Sequence, residues 1–183
     1  MDIDENKEQT IARNAELLRK YPFLKPVIAD GSDYDGSWTM LDFVCLGWQG
    51  IFLEACDEIS SYLEKAGIDP SEAHFYDAKE KYGILRVEFS PYDAGIAEIL
   101  SRLEERSLLY CPSCGKPTKY VTKGIVLYVC EDCAKKVKLD KEPLTAADIP
   151  YYTIYESGGN GDAKAKKTRK PAYYQREFEK QWI

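Results

Sequence analysis

Hydrophobic residues recur at helical spacing in three segments of the chain, and two shorter segments have the composition of strands. Apolar side chains at three- and four-residue steps predict helices over residues 5–20, 49–65 and 92–108. Residues 73–79 and 84–89 are rich in apolar and aromatic side chains and predict two antiparallel strands. The pattern therefore indicates a body that mixes helices with a small sheet.

Each predicted helix presents one apolar face, and glycines mark two of the turns between elements. The expected buried positions are Ile11, Ala15 and Leu18 in the first helix, Ile51, Phe52, Ala55, Ile59 and Leu63 in the second, and Ile96, Ile99, Leu100 and Leu103 in the third. Gly67 fits the left-handed position that ends the second helix. Gly83 fits the positive-φ position of the connection between the strands, predicted over residues 80–83.

After the third predicted helix come two C-x2-C pairs, Cys111 with Cys114 and Cys130 with Cys133, a pattern typical of a zinc ribbon. The expected fold class is therefore α+β, with two main helices packed on a small antiparallel sheet and an appended four-cysteine zinc ribbon. The expected division is an α+β body (1–108), the zinc ribbon (109–139), an extended arm and linker (140–160) and a basic–aromatic tail (161–183). Residues 149–155 are expected to form a further strand or part of the arm, and the glycines of residues 157–161 indicate a flexible linker.

The zinc prediction rests on four cysteines in two C-x2-C pairs: Cys111, Cys114, Cys130 and Cys133. Fifteen residues separate the pairs, and this spacing is typical of a four-thiolate zinc site. The intervening residues 119–122 and 125–129 predict a hairpin that returns the second pair to the first. Two disulfides or four free thiols are the alternatives. Because four thiolates leave no open coordination position, the expected zinc ion is structural rather than catalytic.

Composition restricts the classes of function that need to be considered. Of the 183 residues, 44% are hydrophobic and 31% are charged, which is typical of a soluble globular protein. No apolar run approaches the roughly 18 residues of a membrane span, and the acidic first residues lack the pattern of a signal peptide. Cys45 and Cys56 stand singly in apolar surroundings, as expected of buried thiols in a reducing cytosol. The expected localisation is therefore cytoplasmic, with no membrane partner.

The net charge of −6 hides an acidic body and a basic tail. Residues 1–160 carry 18 basic and 28 acidic side chains, whereas residues 161–183 carry seven basic and three acidic ones. The tail interleaves cations with aromatic side chains, and its candidate binding residues are Lys166, Lys167, Arg169, Lys170, Tyr174, Phe178 and Trp182. This pattern is compatible with contacts to a nucleic acid, with docking on a protein partner, or with a terminal helix packed on the chain's own body.

The middle of the chain resembles a family of uncharacterised small proteins of bacteria and their phages. The resemblance covers residues 47–133 and rests on four motifs: Gly47-Trp48, the stretch from Lys79 to Gly83 followed by Leu85-Arg86, the stretch from Glu104 to Ser107, and Cys111-x-x-Cys114-Gly115. It implies a shared core and a role in host takeover or defence evasion. It implies no catalytic residue.

Several other residues are candidates for function, each with an ordinary structural alternative. Lys79, Lys81 and Arg86 place three cations around one hairpin. This arrangement favours either a grip on phosphate or on an acidic partner, or a solvated turn in which Arg86 pairs with Asp77 or Glu88. Trp48 is expected to be a core or rim aromatic, or else a binding hot spot.

The chain offers little support for catalysis. His74 is its only histidine, and a neighbouring pair of aromatic residues makes it look like an ordinary strand residue. No spaced pair of catalytic carboxylates is recognisable.

The leading prediction is a non-enzymatic zinc-ribbon protein whose ribbon braces a surface for a protein partner. The alternative is a nucleic-acid-binding ribbon protein. It would use the tail and six ribbon lysines: Lys116, Lys119, Lys123, Lys135, Lys136 and Lys138.

Overall fold

The computed structural model describes residues 3–28, 33–145, 153–157 and 163–167. Four α-helices lie in this part of the chain: α1 (Ile3–Lys20), α2 (Gln49–Ala66), α3 (Ala94–Ser107) and α4 (Glu131–Lys136). The strands there are β1 (His74–Lys81), β2 (Ile84–Ser90), β3 (Tyr120–Thr122), β4 (Tyr128–Val129), β5 (Lys141–Pro143), β6 (Thr153–Ser157) and β7 (Ala163–Lys167). The mixed helix-and-sheet architecture confirms the predicted α+β class.

Helices α2 and α3 form the centre of the body and bury the faces that the sequence predicts. Every expected core position of the two helices is buried. Gly67 ends α2 in the left-handed conformation, with φ of 70°. Asp93 begins α3, because its carboxylate accepts a hydrogen bond from the Ile96 N–H at 3.0 Å and so satisfies a free amide of the first turn. Local sequence signals therefore define both helices.

Helix α1 buries only part of its predicted face. Ile11 and Leu18 are half-buried, and Leu18 packs against the core. Ala15 is exposed, so its predicted burial is wrong, whereas Asn14 is fully buried. The Asn14 amide donates a hydrogen bond to the Gly36 carbonyl at 2.8 Å, and its oxygen accepts one from Arg13. The helix therefore packs partly through a polar side chain on a loop, which a hydrophobic pattern does not register.

Strands β1 and β2 form an antiparallel hairpin whose inner face is aromatic. The Phe75 and Phe89 rings lie 4.8 Å apart between centroids, and Phe52 of α2 lies 5.1 Å from Phe75. The strands extend further than predicted, and only Tyr82 and Gly83 remain as the turn. Both residues have positive φ, at 55° and 79°, the backbone of a two-residue hairpin turn.

Side chains of α3 cover the outer edge of β2. The Leu85 N–H donates to the Ser107 hydroxyl at 3.0 Å, and the Val87 N–H bonds to the Glu104 carboxylate. Glu104 and Ser107 are three residues apart, so they share one helix face. These contacts give a structural explanation for the Glu104–Ser107 motif noted above, since they satisfy strand amides that β1 does not reach.

We expect Ser107→Ala to lower the free energy of unfolding by about 1–2 kcal/mol. The substitution leaves the buried Leu85 N–H without its acceptor, and an unpaired buried donor costs its full desolvation free energy. Chemical denaturation would measure the difference. Ser71→Ala is the matched control because Ser71 lies in an exposed turn, where we expect little change. An equal effect of the two substitutions would contradict this account of the β2 edge.

Residues 109–144 form a second, smaller unit, called the ribbon below. Its sheet has the order β4–β3–β5, and helix α4 follows the second cysteine pair. Strand β5 pairs antiparallel with β3, so the sheet extends beyond the predicted limit at residue 139. Val121, Tyr128 and Leu144 of the ribbon share a hydrophobic cluster with Ile84 of β2. The ribbon is thus packed on the body through side chains as well as joined to it by the chain.

Strands β6 and β7 form a separate antiparallel pair. Thr153 lies opposite Lys167, and Ser157 opposite Ala163. The flexible linker was predicted over residues 157–161, and residues 158–161 of it lie outside the described residues. Within the described residues, no helix has the length and hydropathy needed to cross a membrane.

Candidate metal centre

The sulfur atoms of the four predicted ligands come together on one side of the ribbon. The Sγ atoms of Cys111, Cys114, Cys130 and Cys133 all lie within 4.8 Å of one another. Cys114 Sγ is 3.5 Å from Cys130 Sγ and 3.6 Å from Cys133 Sγ. A tetrahedral zinc ion with Zn–S bonds of about 2.3 Å would separate its ligands by about 3.8 Å, whereas a disulfide requires about 2.05 Å. The four cysteines are free and are placed to hold a metal ion.

Two short backbone turns give the sulfur atoms their positions. The Gly115 N–H donates to the Cys111 carbonyl at 2.8 Å, and Gly115 adopts a φ of 72°, which closes the first turn. Cys130 caps the N-terminus of α4, where its sulfur accepts a hydrogen bond from the Cys133 N–H at 3.4 Å. In both pairs the C-x2-C spacing brings two sulfur atoms to the same side of the chain. A glycine turn does this in the first pair, and the start of α4 does it in the second.

The crowded thiols have unequal acidities. Burial, together with the neighbouring thiols, raises the pKa of Cys133 to about 12. Burial would also raise the pKa of Cys130, but hydrogen bonds from the Cys133 amide and the adjacent thiols lower it below its usual value. The cluster therefore favours ionisation of Cys130 over that of Cys114 and Cys133. A divalent cation would favour the thiolate form of its cysteine ligands, and an all-sulfur donor set fits zinc.

The first cysteine turn is fixed to the start of α2. The Gly47 N–H donates to the Pro112 carbonyl at 2.8 Å, and the Trp48 indole N–H donates to the Tyr110 carbonyl at 2.7 Å. A Cβ atom at Gly47 would lie only 2.1 Å from the Cys111 carbonyl oxygen. The Gly47-Trp48 pair therefore joins the body to the candidate metal centre, through the backbone of Gly47 and the indole of Trp48.

Trp48 is 0% exposed, so the prediction that it is a binding residue is wrong for this conformation. Its ring fills the core, and its only polar atom is already paired with the ribbon. The core interpretation of Trp48 is the correct one.

The three cations of the β1–β2 hairpin lie together along one groove of about 460 Å³. Arg86 pairs with Glu104 of α3 at 2.5 Å, not with Asp77 or Glu88 as the sequence suggests. Burial raises the pKa of Glu104, although Arg86 and the Val87 amide act in the opposite direction. Lys79 pairs with Asp77. The hairpin therefore brings together all three predicted residues, Lys79, Lys81 and Arg86, and the groove also contains anions.

Most of the ribbon lysines have acidic partners. Lys116 pairs with Asp132 at 2.7 Å and Lys123 with Glu142 at 2.8 Å. Lys119 and Lys135 both approach Glu131, at 3.5 and 3.6 Å. In addition, four thiolates and one zinc ion together carry a charge of −2, which lowers the positive charge of the ribbon when the metal is bound.

The remaining residues singled out in the sequence are the tail candidates, His74 and Cys56. Lys166 and Lys167 lie on β7, whereas the other tail candidates lie outside the described residues: Arg169, Lys170, Tyr174, Phe178 and Trp182. His74 is half-buried with its ring 4.4 Å from that of Tyr76. Cys56 is fully buried, and this burial raises the pKa of its thiol.

Sequence reasoning missed two exposed residues, one in the turn of the β1–β2 hairpin and one in the ribbon. Tyr82 is 74% exposed and Ile125 is 67% exposed. A signal for Tyr82 was present, because it occupies a turn position where asparagine or glycine is usual. For Ile125 there was none, since it was assigned to a strand.

No protein-family model, curated protein or solved structure matches this chain. The fold and the site together define an α+β protein with a tetracysteine ribbon able to bind a metal ion.

Proposed function

We propose that this chain is a non-enzymatic zinc-ribbon protein, and that its structural zinc ion braces a surface for a protein partner. The observation that carries the proposal is the attachment of the first cysteine turn to the body at Gly47 and Trp48. A metal bound by this turn fixes the position of the ribbon relative to α2. In the proposed role, zinc therefore controls the shape of a surface that spans both units.

The donor set favours a structural over a catalytic zinc ion. Four cysteine thiolates fill a tetrahedral coordination shell, so no position is left for a water molecule or a substrate. His74 is distant in sequence from the four ligands and packs against Tyr76. The proposed role therefore assigns binding, and no chemistry, to the metal centre.

A protein partner is favoured over a nucleic acid by the charges of the ribbon. Four of its lysines lie within 4 Å of a carboxylate, an arrangement that opposes contact with phosphates. The acidic excess of residues 1–160 also opposes contact with a nucleic acid. On the resemblance described above, we place the partner in a bacterial host, in the setting of host takeover or defence evasion, and the protein in a reducing cytoplasm.

Affinity purification from cells of the source organism tests the proposal. The zinc-loaded chain is expected to retain one stoichiometric protein, and the Cys130→Ser variant is expected to lose it. Cys45→Ser is the matched control, since Cys45 is a half-buried cysteine outside the metal centre.

A gel-shift titration across salt concentration tests the alternative, a nucleic-acid-binding ribbon protein. Tight nucleic-acid binding that weakens steeply with added salt, with no protein retained, would replace our proposal by that alternative.

A further inference from the structure

The four candidate ligands differ in how far they are open to solvent. Cys111 is 0% exposed and Cys130 is 3% exposed, so both sulfur atoms lie inside the ribbon. Cys114 is exposed and Cys133 is half-buried. Because a bound metal makes all four side chains thiolates, exposure is what distinguishes their reactivity towards a dissolved oxidant. Such an oxidant meets Cys114 first and Cys133 next.

The two open cysteines belong to different turns of the ribbon. Cys114 lies in the first cysteine turn, which is fixed to α2 at Gly47, and Cys133 lies in the first turn of α4. Their Sγ atoms are 3.6 Å apart. A disulfide requires about 2.05 Å, so an approach of about 1.5 Å would join them. A bond between these sulfur atoms would connect the same two turns that a metal ion connects.

An ion pair links these two turns without using the thiols. Lys116, two residues after Cys114, pairs with Asp132, the residue directly before Cys133, at 2.7 Å. An exposed ion pair contributes little stability by itself. It nevertheless spans the two turns beside the open cysteines, and so it favours the arrangement in which their sulfur atoms face each other.

We propose that hydrogen peroxide converts Cys114 and Cys133 into a disulfide, which releases zinc and takes over its task of joining the two turns. Two thiolates then remain, too few for a closed zinc site. The inference rests on the proposed function, because the brace that the disulfide preserves is the one assigned there to zinc. Oxidation would therefore exchange a metal brace for a covalent one.

The sulfur chemistry needs one molecule of peroxide and two protons. The Cys114 thiolate attacks a peroxide oxygen, the O–O bond breaks, and the products are a sulfenic acid and hydroxide. The Cys133 thiolate then attacks the Cys114 sulfur, the S–O bond breaks, and a second hydroxide leaves. Each hydroxide takes up a proton and becomes water. Two thiolates are oxidised to one disulfide, and a cellular dithiol can reduce it again.

Every other pairing of the four thiols uses a buried sulfur atom. A disulfide within either C-x2-C pair would include Cys111 or Cys130, and it would leave the two turns unconnected. The sulfur of Cys130 is 3.5 Å from that of Cys114, but it is buried and accepts a hydrogen bond from the Cys133 N–H. The pairing of Cys114 with Cys133 is the one in which neither sulfur is buried.

Peptide mapping of the peroxide-treated, zinc-loaded chain tests the linkage. We expect one equivalent of zinc to be released per disulfide formed, as measured with a chromophoric chelator. Proteolysis after Lys123 separates the two pairs, and proteolysis after Glu131 separates Cys130 from Cys133. Fragmentation of the cross-linked peptides should then show Cys114 joined to Cys133. Retention of zinc after oxidation, or any other linkage as the main product, would overturn the proposal.

Amide hydrogen exchange tests whether the disulfide replaces the metal as a brace. After chelation, we expect the amides of residues 109–144 to exchange at least tenfold faster in the reduced chain than in the zinc-loaded chain, because the ribbon opens. In the oxidised and chelated chain, the same amides should remain protected. Equally fast exchange in the oxidised and the reduced chelated chains would reject the covalent brace.

Two ligand variants form a matched pair for the same measurement. Cys111→Ser and Cys114→Ser each remove one ligand, so both should fail to hold zinc. Only Cys111→Ser keeps both open thiols. Peroxide should therefore slow amide exchange of the ribbon in Cys111→Ser and leave it fast in Cys114→Ser. An equal response of the two variants would contradict the assignment of Cys114.

Partner retention distinguishes failure of this inference from failure of the proposed function. If the reduced chain keeps its partner after chelation, the bracing role of zinc is rejected, whereas the mapped disulfide and the protected amides would still support the inference. If the reduced chain loses its partner on chelation and the oxidised chain shows no disulfide between Cys114 and Cys133, the bracing role stands and the inference fails.

Discussion

Substitution of Cys130 by serine is expected to abolish metal binding and to unfold the ribbon. Cys130 is 3% exposed, supplies one of the four sulfur atoms and also caps α4, so its loss removes a ligand and the start of a helix together. Structural zinc contributes apparent binding free energies of about 10–16 kcal/mol in small domains. Loss of a structural metal is among the few changes that cost more than about 4 kcal/mol. We expect a decrease of that size in the free energy of unfolding.

Metal analysis and tryptophan fluorescence would measure this effect. Trp48 is fully buried and bonded to the Tyr110 carbonyl at the edge of the ribbon, so its emission should shift to longer wavelength when the ribbon unfolds. Replacing Trp38 and Trp182 by phenylalanine isolates the signal of Trp48. Treatment of the wild-type chain with a chelator should reproduce the change, and Cys45→Ser should retain the metal. A Cys130→Ser variant that keeps stoichiometric zinc would show that the metal centre does not depend on Cys130 as a ligand.

The second large effect is expected from Gly47→Ala. The added Cβ atom would lie 2.1 Å from the Cys111 carbonyl oxygen, 2.4 Å from the Gly115 nitrogen and 2.8 Å from the Cys114 nitrogen. These are backbone atoms of the first cysteine turn, so no side-chain rotation relieves the overlap. Either the turn or the start of α2 must move, and we expect a loss of about 3 kcal/mol, at the upper end of the range for overpacked sites. The affinity for zinc should fall as well, because the displaced turn carries two ligands.

Gly50→Ala is a matched control three residues away on α2. A Cβ atom there meets nothing within 4 Å, and alanine is the better helix former, so we expect a gain of about 0.5 kcal/mol. Denaturant unfolding and competition with a zinc chelator would compare the two variants. If Gly47→Ala matched Gly50→Ala in both measurements, the described attachment of the ribbon to the body would be incorrect.

Local sequence signals predicted the elements that depend on near neighbours. The two C-x2-C pairs predicted the grouping of their sulfur atoms, since each turn depends on four or five consecutive residues. The core faces of α2 and α3 were predicted because each follows a regular apolar repeat. The Gly67 cap was predicted from local chemistry in the same way. The Asp93 cap was not predicted, although it also depends only on near neighbours.

Features that depend on distant contacts could not be predicted in this way. Strand β5, with the sequence Lys-Glu-Pro, has no apolar pattern and forms only because β3 offers an unpaired edge. Asn14 is buried because the Gly36 carbonyl lies opposite it, a contact between segments 22 residues apart. The pairing of Arg86 with Glu104 depends on the packing of α3 against β2. In each case the partner is determined by the fold and not by sequence spacing.

The cover that α3 provides along β2 limits how a partner can be recognised. The outward amides of Leu85 and Val87 already have acceptors in Ser107 and Glu104, so this edge offers a visiting chain no donors at these positions for sheet extension. A chain that meets this edge of β2 would therefore be recognised through side chains. Such a ligand could be helical, extended or irregular, and its affinity should depend on which residues it carries more than on its backbone shape.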